Sequence, residues 1–227
     1  RGPAVLLGER GSDREAAARA LHALSGRAGP FVAFDCGALP AGLAESELFG
    51  HAEGAFAGAA ARPGLFRAAE GGTLFLDDLG ELPPTLQPKL LRVLRDRTVW
   101  PAGAAVRHAF DVRVLAAADR DPRAPAPPNA PARDHELYAL LAAATVRVPP
   151  LRERREDTLR LFVRALDAPR PRFEPDLAER LLLHDWPGNV RELYALARQL
   201  RIRGGWGPYG LHLLEATLPP RGSAPAR

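Results

Sequence analysis

Two adjacent carboxylates at the end of an apolar run are the residues best suited to chemistry. The run Thr73–Leu76, of apolar or β-branched residues, follows a glycine pair and is too short for a helix, so it predicts a buried strand. Asp77 and Asp78 come directly after it. Ligands of open α/β sheets bind beyond the carboxyl ends of the strands, where two acids could hold Mg²⁺ and polarise a water molecule. A buried strand that leaves the core through a polar turn explains the same residues.

A glycine-rich turn near the start of the sequence is the second candidate site. It lies between a predicted strand, Ala4–Leu7, and an alanine-rich helix predicted from Arg14 to about Leu24. Backbone N–H groups at such a turn can bind phosphate. The phosphate-loop pattern requires glycine and lysine where this chain has Asp13 and Arg14. By pattern alone, an ordinary strand–turn–helix fits better.

The elements that position these residues alternate between strands and helices. Further strands are predicted at Phe31–Phe34, Asp111–Ala117 and Thr145–Val148, and a helix at Pro84–Arg97. Residues 45–59 indicate a helix that runs into a flexible loop. The apolar residues expected to line the sheet core are Val5, Leu7, Phe31, Val32, Leu74, Leu76, Val112, Val114 and Val146.

A change of pattern at Pro149–Pro150 divides the chain. Strands alternating with helices and followed by a helical segment favour a parallel α/β sheet with a small α domain. Trp186 is expected to be buried in that helical part. We therefore predict an α/β core over residues 1–150, a helical domain over 151–218 and a linker over 219–227. The later helices are expected at residues 157–167, 174–184, 189–203 and about 211–217.

The composition is that of a soluble globular protein, with 227 residues, 46% of them hydrophobic and 26% charged. No apolar run approaches the roughly 18 residues of a membrane span. A single cysteine, Cys36, is typical of the reducing cytoplasm. The absence of methionine indicates a fragment of a longer chain. A net charge of +4, with no basic cluster interleaved with aromatic residues, gives little support for direct DNA contact.

Several longer motifs resemble the AAA+ domain of bacterial sigma-54-dependent transcription activators, the enhancer-binding proteins. The resemblance covers the chain from Val5 to about Pro219. The motifs that carry it are Ala38–Pro40, Glu45–His51, Gly54–Ala59, Gly71–Gly80, Lys89–Leu94, Pro149–Asp157 and Trp186–Leu193.

The resemblance implies a fold, a reaction and partners. The family has a P-loop AAA+ core, in which a five-stranded parallel sheet of order 5-1-4-3-2 is followed by a helical lid. Its members form rings, hydrolyse ATP with Mg²⁺ between subunits, and press a phenylalanine-bearing loop against sigma-54 to open promoter DNA. The implied partners here are therefore copies of this chain or homologous AAA+ subunits, with DNA bound only through a domain outside this sequence. No membrane partner is expected.

Each nucleotide-binding position of the family is compared separately with the residue found here, because this chain departs from the family at several of them. Asp13 and Arg14 replace the glycine and lysine. Asp77 matches the magnesium-binding aspartate, whereas Asp78 replaces the glutamate that activates water. Its carboxylate is one methylene short, and a displacement of about 1 Å can cost about 10²-fold in rate. The implied nucleotide-binding residues are Gly8, Glu9, Arg10, Gly11, Ser12, Asp13, Arg14, Glu15 and, in the lid, Arg191.

The switch, sensor and arginine-finger positions are also altered. Asp35 replaces the asparagine that restrains the catalytic glutamate, and Asp119 lies at the sensor position. The two family arginines that reach into a neighbouring subunit correspond here to Asp134 and Leu140. Such an arginine contributes about 10³–10⁵ in rate in P-loop enzymes.

The sigma-contact loop keeps its phenylalanine but not its hydroxyl. Ala57 replaces the threonine with which the family engages sigma-54, whereas Phe56 is retained, either exposed for a partner or folded onto the core. The loop residues are Gly54, Ala55, Phe56, Ala57, Gly58 and Ala59.

Two interpretations follow from these substitutions. The first is a degenerate AAA+ module with an assembly or regulatory role, which binds ATP weakly and does not remodel sigma-54 polymerase. The second is a working ring ATPase that remodels sigma-54 RNA polymerase at promoters. The joint loss of the lysine, both finger arginines and the loop threonine favours the first, because these residues serve distinct steps.

Overall fold

The computed structural model describes residues 2–56, 58–121, 124–125, 134–167, 172–204, 209–210 and 213. The chain forms two compact units. The first contains Arg1–Gly8 and Arg14–Val148, and the second contains Glu9–Asp13 and Pro149–Arg227. The grouping of residues 9–13 with the second unit was not predicted. No helix in the described part of the chain is long and apolar enough to cross a membrane.

The first unit is built on a five-stranded parallel sheet. Its spatial order is β2-β5-β8-β1-β9. Counted along the chain, these five strands have the order 5-1-4-3-2, so the predicted topology is confirmed. The strands are β1 (Ala4–Leu7), β2 (Phe31–Asp35), β5 (Thr73–Asp77), β8 (Arg113–Ala118) and β9 (Thr145–Arg147), and two short antiparallel hairpins pair β3 (Gly50–His51) with β4 (Arg62–Pro63) and β6 (Thr98–Val99) with β7 (His108–Ala109).

Burial of the strand residues follows their place in the sheet. Leu74 and Leu76 of the internal strand β5 are fully buried, as predicted. Val146 was predicted to line the core, and this prediction is wrong, since its side chain is 38% exposed. Its strand β9 lies at the edge of the sheet and is exposed along its length. Three further predicted core residues are only half-buried, and these are Leu7, Phe31 and Val32.

Five helices lie in the described part of the first unit. They are α1 (Arg14–Ala23), α2 (Ala41–Phe49), α3 (Leu65–Ala68), α4 (Gln87–Asp96) and α5 (His135–Leu141). Residues 45–59 were predicted to be a helix that runs into a loop, and α2 begins earlier, at Ala41, and ends at Phe49. Gly50 follows with a φ of 82°, and a Cβ there would lie 2.6 Å from the Gly64 nitrogen. That close approach requires glycine and turns the chain into β3.

The second unit contains three described helices, α6 (Glu156–Leu166), α7 (Pro175–Leu183) and α8 (Asn189–Gly204). Their apolar faces surround Trp186, which is fully buried as predicted. The indole N–H donates to the Leu181 carbonyl at 2.9 Å, so the buried ring leaves no polar atom without a partner. The helix predicted at about 211–217 and the tail at 219–227 fall outside the described residues, apart from Leu213.

Candidate functional site

The carboxyl edge of the sheet brings several predicted site residues together. Asp35 at the end of β2 lies beside Asp77 at the end of β5 in the parallel register. The Gly8 N–H donates to the Ala118 carbonyl at 3.1 Å, so the start of the glycine-rich turn lies at the end of β8. Asp119 follows β8 and is exposed at the same edge. Parallel strands present their carboxyl ends on one side of a sheet, which explains this convergence.

Arg14, the first residue of α1, pairs with the carboxylate of Asp77, the last residue of β5, and with that of Asp78, the next residue. Its Nη2 lies 3.1 Å from Asp77 Oδ1 and donates to Asp78 Oδ1. Its Nη1 donates to the Gly8 carbonyl at 3.4 Å. The Arg14 residue is only 5% exposed. The guanidinium is therefore the counter-ion of the two acids.

The backbone at Asp78 directs its carboxylate toward this arginine. Asp78 has a left-handed conformation, with φ 48° and ψ 54°, immediately before the 3₁₀ turn Leu79–Glu81. Its N–H donates to Asp77 Oδ1 at 2.9 Å. Aspartate is among the few residues that adopt this conformation readily. The two carboxylates are thus held by one guanidinium and one backbone N–H.

Burial raises the pKa of two groups at this edge, the Asp77 carboxyl and the Cys36 thiol. The pKa of the Asp77 carboxyl is raised, chiefly because burial penalises its charge, while Arg14 and the Asp78 N–H oppose that rise. The neighbouring charges of Asp78 and Asp35 raise it further. Burial also raises the pKa of the Cys36 thiol far above its ordinary value, with Asp35 adding to the effect. Cys36 is therefore a neutral, buried thiol and not a nucleophile.

The residues at this edge do not fit the magnesium ion that the resemblance implies. Mg²⁺ requires free oxygen ligands, usually one or two carboxylates with water and phosphate. Here both carboxylates already contact a guanidinium, whose charge would repel the ion. Within the described ranges, no group of three or more His, Cys, Asp or Glu side chains could hold a metal.

Residues 9–13 of the glycine-rich turn pack within the second unit. Arg152 forms a bidentate pair with Glu9, with Nη1 2.8 Å from Oε2 and Nη2 2.5 Å from Oε1. The buried Asn189 donates to Glu9 Oε2 at 3.1 Å and to the Arg10 carbonyl at 3.2 Å. Its Oδ1 accepts from the Leu151 N–H at 2.8 Å. These contacts fix the path of the turn.

Two residues of this turn have left-handed backbone conformations. Gly11 has a φ of 77°, and a Cβ there would lie 2.4 Å from the Gly188 carbonyl oxygen, so only glycine fits. Its own carbonyl accepts from the Arg191 N–H at 3.3 Å. Asp13 has a φ of 69° at the position where the resemblance implies glycine. Its backbone keeps the glycine-like geometry while its side chain adds a negative charge.

The two arginine-finger positions have structural roles here. Asp134 is the N-cap of α5, and its Oδ1 accepts from the Glu136 and Leu137 N–H groups at 3.0 and 3.1 Å. Its own N–H donates to Gln87 Oε1 at 2.7 Å. Leu140 is partly buried against the main core of the unit. Each side chain stabilises α5 rather than presenting a cation.

The sigma-contact loop exposes its aromatic residue. Phe56 is 56% exposed, and its ring centroid lies 5.0 Å from that of His51. Gly54 and Gly58 have φ values of 73° and 78°. The Gly54 N–H donates to the Ala59 carbonyl at 2.9 Å and closes the loop. Phe56 therefore does not fold onto the core, and Ala57 lies outside the described residues.

Three side chains that contact residues 9–13 of the glycine-rich turn were not predicted to be part of the site. Arg152 and Asn189 belong to motifs that carried the resemblance, yet they received no role. Arg154 was also missed, and its Nη2 donates to the Ser12 carbonyl at 2.7 Å. All three lie in motifs that carry the resemblance, which could have marked them as candidates. The turn residues that they contact lie more than 100 positions away in the sequence, so the contacts themselves could not be predicted.

Comparisons with known proteins agree on one family. The profile of the "Sigma-54 interaction domain" matches residues 2–146. The transcriptional regulatory protein GlrR of Escherichia coli K12 is 45% identical over 207 residues, which are 86% of this chain and 46% of GlrR. The DNA-binding transcriptional regulator NtrC of Rhizobium meliloti is 43% identical over 206 residues, covering 86% of this chain and 42% of NtrC. The chain thus spans less than half the length of these curated relatives.

Solved structures show the same fold. NtrX from Brucella abortus in complex with ADP has a TM-score of 0.78 and 30% identity, covering 89% of this chain and 46% of that one. NtrX in complex with ATP has a TM-score of 0.74 and 29% identity, covering 89% of this chain and 47% of that one.

Proposed function

Because the chain belongs to the sigma-54 interaction domain family of AAA+ transcription regulators, we propose that it is a degenerate member with an assembly or regulatory role. In this proposal ATP turnover is absent or very low. The two units act as a nucleotide-binding core and a helical lid. The protein acts in the bacterial cytoplasm, in a ring with copies of itself or with homologous AAA+ subunits.

The observation that carries this proposal is the pairing of Arg14 with Asp77 and Asp78. A nucleotide that recruits Arg14 to its phosphates must first separate this guanidinium from two carboxylates. Unit charges 4 Å apart interact by about 4 kcal/mol at an effective dielectric of 20, an upper figure for partly exposed carboxylates. The two acids would then face the phosphates without their counter-ion. Weak binding of ATP follows.

Water activation is opposed by the same contact. A general base must lie within hydrogen-bond reach of the proton that it abstracts and must be free to accept it. Asp78 instead accepts from Arg14, and its left-handed backbone holds it there. Its side chain is also one methylene shorter than the family's glutamate. Both features argue against efficient hydrolysis.

The finger positions argue against catalysis in trans. Asp134 and Leu140 cap and pack α5, so neither presents a cation to a neighbouring subunit. A homologous subunit with intact fingers could supply that charge to its own partners. This is why the proposal places the chain in mixed rings as readily as in rings of one kind. Recognition of duplex DNA by the whole regulator is assigned to a domain outside these residues.

The nucleotide complexes of NtrX support a second candidate function, an active ATPase. The exposed Phe56 between two glycines also favours contact with a partner such as sigma-54. These features are compatible with the degenerate module as well, since a loop can bind a partner without being driven by hydrolysis.

Phosphate release from ATP tests the proposal. The unmodified chain and an Asp78→Asn variant are compared at saturating ATP and Mg²⁺, with size-exclusion chromatography to follow assembly. We expect the two release rates to be equal and at background, because Asp78 does no chemistry. Turnover by the unmodified chain that is lost in Asp78→Asn would establish the working ATPase instead.

A further inference from the structure

Two adjoining cavities lie on the first unit, away from the carboxyl edge of the sheet. The larger has a volume of about 540 Å³ and lies among α4, Trp100 and the β6–β7 connection. The smaller, about 490 Å³, lies between that connection and the β3–β4 hairpin. Both are lined by Pro101 and Ala104. We call the pair the hairpin groove.

The hairpin groove is predominantly cationic. Its lysine and arginine residues are Arg62, Arg67, Lys89, Arg92 and Arg107, with His51 and His108 beside them. The carboxylates that line it are Glu45 and Asp96. An excess of cations along a concave surface attracts an anionic ligand.

The two carboxylates are already neutralised by neighbours. Glu45 Oε1 lies 2.8 Å from Lys89 Nζ, and Asp96 Oδ2 lies 3.5 Å from Arg92 Nε. Arg67 and Arg107 are exposed and form no ion pair with any residue that the structure describes. These two arginines, one in each cavity, are therefore available to a ligand.

In the larger cavity the Arg92 guanidinium lies over the ring of Trp100, and we call this pair the Trp100–Arg92 stack. Trp100 is 42% exposed, and the Arg92 guanidinium lies 4.8 Å from its ring centroid. Aromatic rings and guanidinium planes are the surfaces on which unpaired nucleic-acid bases stack. An exposed tryptophan has a large apolar area, and here cations line the same cavity together with apolar residues such as Val93 and Pro101. The stack favours a planar ligand that also carries negative charge.

We propose that the hairpin groove binds single-stranded nucleic acid, with a base stacked at Trp100 and phosphates beside Arg67 and Arg107. Each cavity is within the roughly 300–1,000 Å³ of small-ligand sites, which suits one splayed nucleotide. A duplex keeps its bases stacked inside and cannot place them in such cavities. An acidic peptide would satisfy the arginines but would leave the Trp100–Arg92 stack unused.

This site was not predicted, because its residues are dispersed from position 45 to position 108. The fold brings the basic and aromatic side chains together through the β3–β4 and β6–β7 hairpins. A backbone link joins them, since the Ala52 N–H donates to the Ala102 carbonyl at 2.8 Å. The proposal does not depend on whether ATP is bound or hydrolysed.

Fluorescence anisotropy with a labelled oligothymidylate of about 15 nucleotides tests it, at about 50 mM salt. Trp100→Ala and Arg107→Gln are the test variants, and both positions are exposed, so thermal melts should match the unmodified chain. We expect each to weaken binding about fivefold or more. Arg19→Gln removes one exposed arginine outside the groove and is the matched control, expected to bind as the unmodified chain does.

Three outcomes would overturn the proposal. The first is no binding of the oligonucleotide at low salt. The second is an equal loss in Arg19→Gln, which would indicate general charge attraction. The third is displacement by poly-glutamate of a probe whose affinity is unchanged in Trp100→Ala, which would indicate a site for acidic peptides. Should Trp100→Ala melt early, Arg67→Gln replaces it and is expected to show the same loss.

Discussion

The Arg14 guanidinium lies 3.1 Å from Asp77 Oδ1 at the carboxyl edge of the sheet, where the family binds a metal ion. The arginine therefore stabilises the fold through the residues that would otherwise do chemistry. Each acid has a defined partner, and the fold does not require a nucleotide to neutralise them. The chain thus keeps the family fold, while the residues at the expected nucleotide site pair with one another.

Replacement of Asp134 by alanine should destabilise the first unit by about 1 kcal/mol, within about 0.5–2 kcal/mol. The carboxylate caps two N–H groups at the start of α5, and alanine leaves them without that partner. Asp134→Asn is the matched control, since asparagine is an equally good N-cap. Urea denaturation followed by circular dichroism measures both. Equal stability of the alanine and unmodified chains would show that the cap contributes nothing.

How far the sequence predicts this molecule depends on the range of each interaction. The alternation of apolar runs and helices predicted a parallel α/β sheet, whereas the strand order came from the family resemblance. The buried Trp186 followed from its place in the helical part. No helix was predicted after Asp134, so its role as an N-cap was not recognised. Val146 was misassigned because its apolar run was considered without the implied strand order, which places that strand at a sheet edge.

The side-chain contacts of the candidate site could not be predicted from the sequence, because the residues that form them are far apart along the chain. Arg14 is 63 positions from Asp77, and only the register of the sheet and the start of α1 bring them together. Glu9 and Arg152 are farther apart still. Local pattern reports which residues face a core, whereas pairings of charged side chains depend on three-dimensional placement. The same limit applies to the dispersed residues of the hairpin groove.

Acid should destabilise the second unit through His184. Burial lowers the pKa of this imidazole in the folded state, and Arg180 adds to the lowering, whereas Glu192 and Asp185 oppose it. Its Nδ1 accepts from the Trp186 N–H at 3.0 Å, which requires the neutral ring. Because the folded pKa lies below the unfolded value of about 6.5, this stabilisation is complete above that pH. It is lost as the pH falls from about 6.5 toward the folded pKa.

The measurement is the free energy of unfolding in urea between about pH 5 and pH 7.5. His184→Gln should reduce the loss of stability on acidification, since glutamine does not titrate. His135→Gln, at an exposed position in α5, is the control and should keep the full dependence. An identical pH profile for His184→Gln and the unmodified chain would rule out this histidine as the cause.

Restoring threonine at position 57 should not switch on transcription. The hydroxyl would return one hydrogen bond, typically about 1 kcal/mol, but the loop must be driven by hydrolysis that Asp78 and Leu140 oppose. Reconstituted transcription with sigma-54 polymerase and ATP measures the result for Ala57→Thr. We expect no transcript above the level of the unmodified chain. Transcript formation with consumption of ATP would show that the site works by another route.

Calorimetric titration with ATP tests the central claim most directly, namely that Arg14 is committed to Asp77 and Asp78 and that Asp13 opposes phosphate. The unmodified chain should bind ATP weakly. The double variant Asp13→Gly with Arg14→Lys should bind ATP at least about tenfold more tightly than the unmodified chain, a gain of about 1.4 kcal/mol. Glycine removes a negative charge at a left-handed position, and lysine presents a compact ammonium to the phosphates. Arg19→Lys, on the exposed face of α1, should leave the affinity unchanged. Tight binding of ATP by the unmodified chain, with no gain in the double variant, would contradict the account.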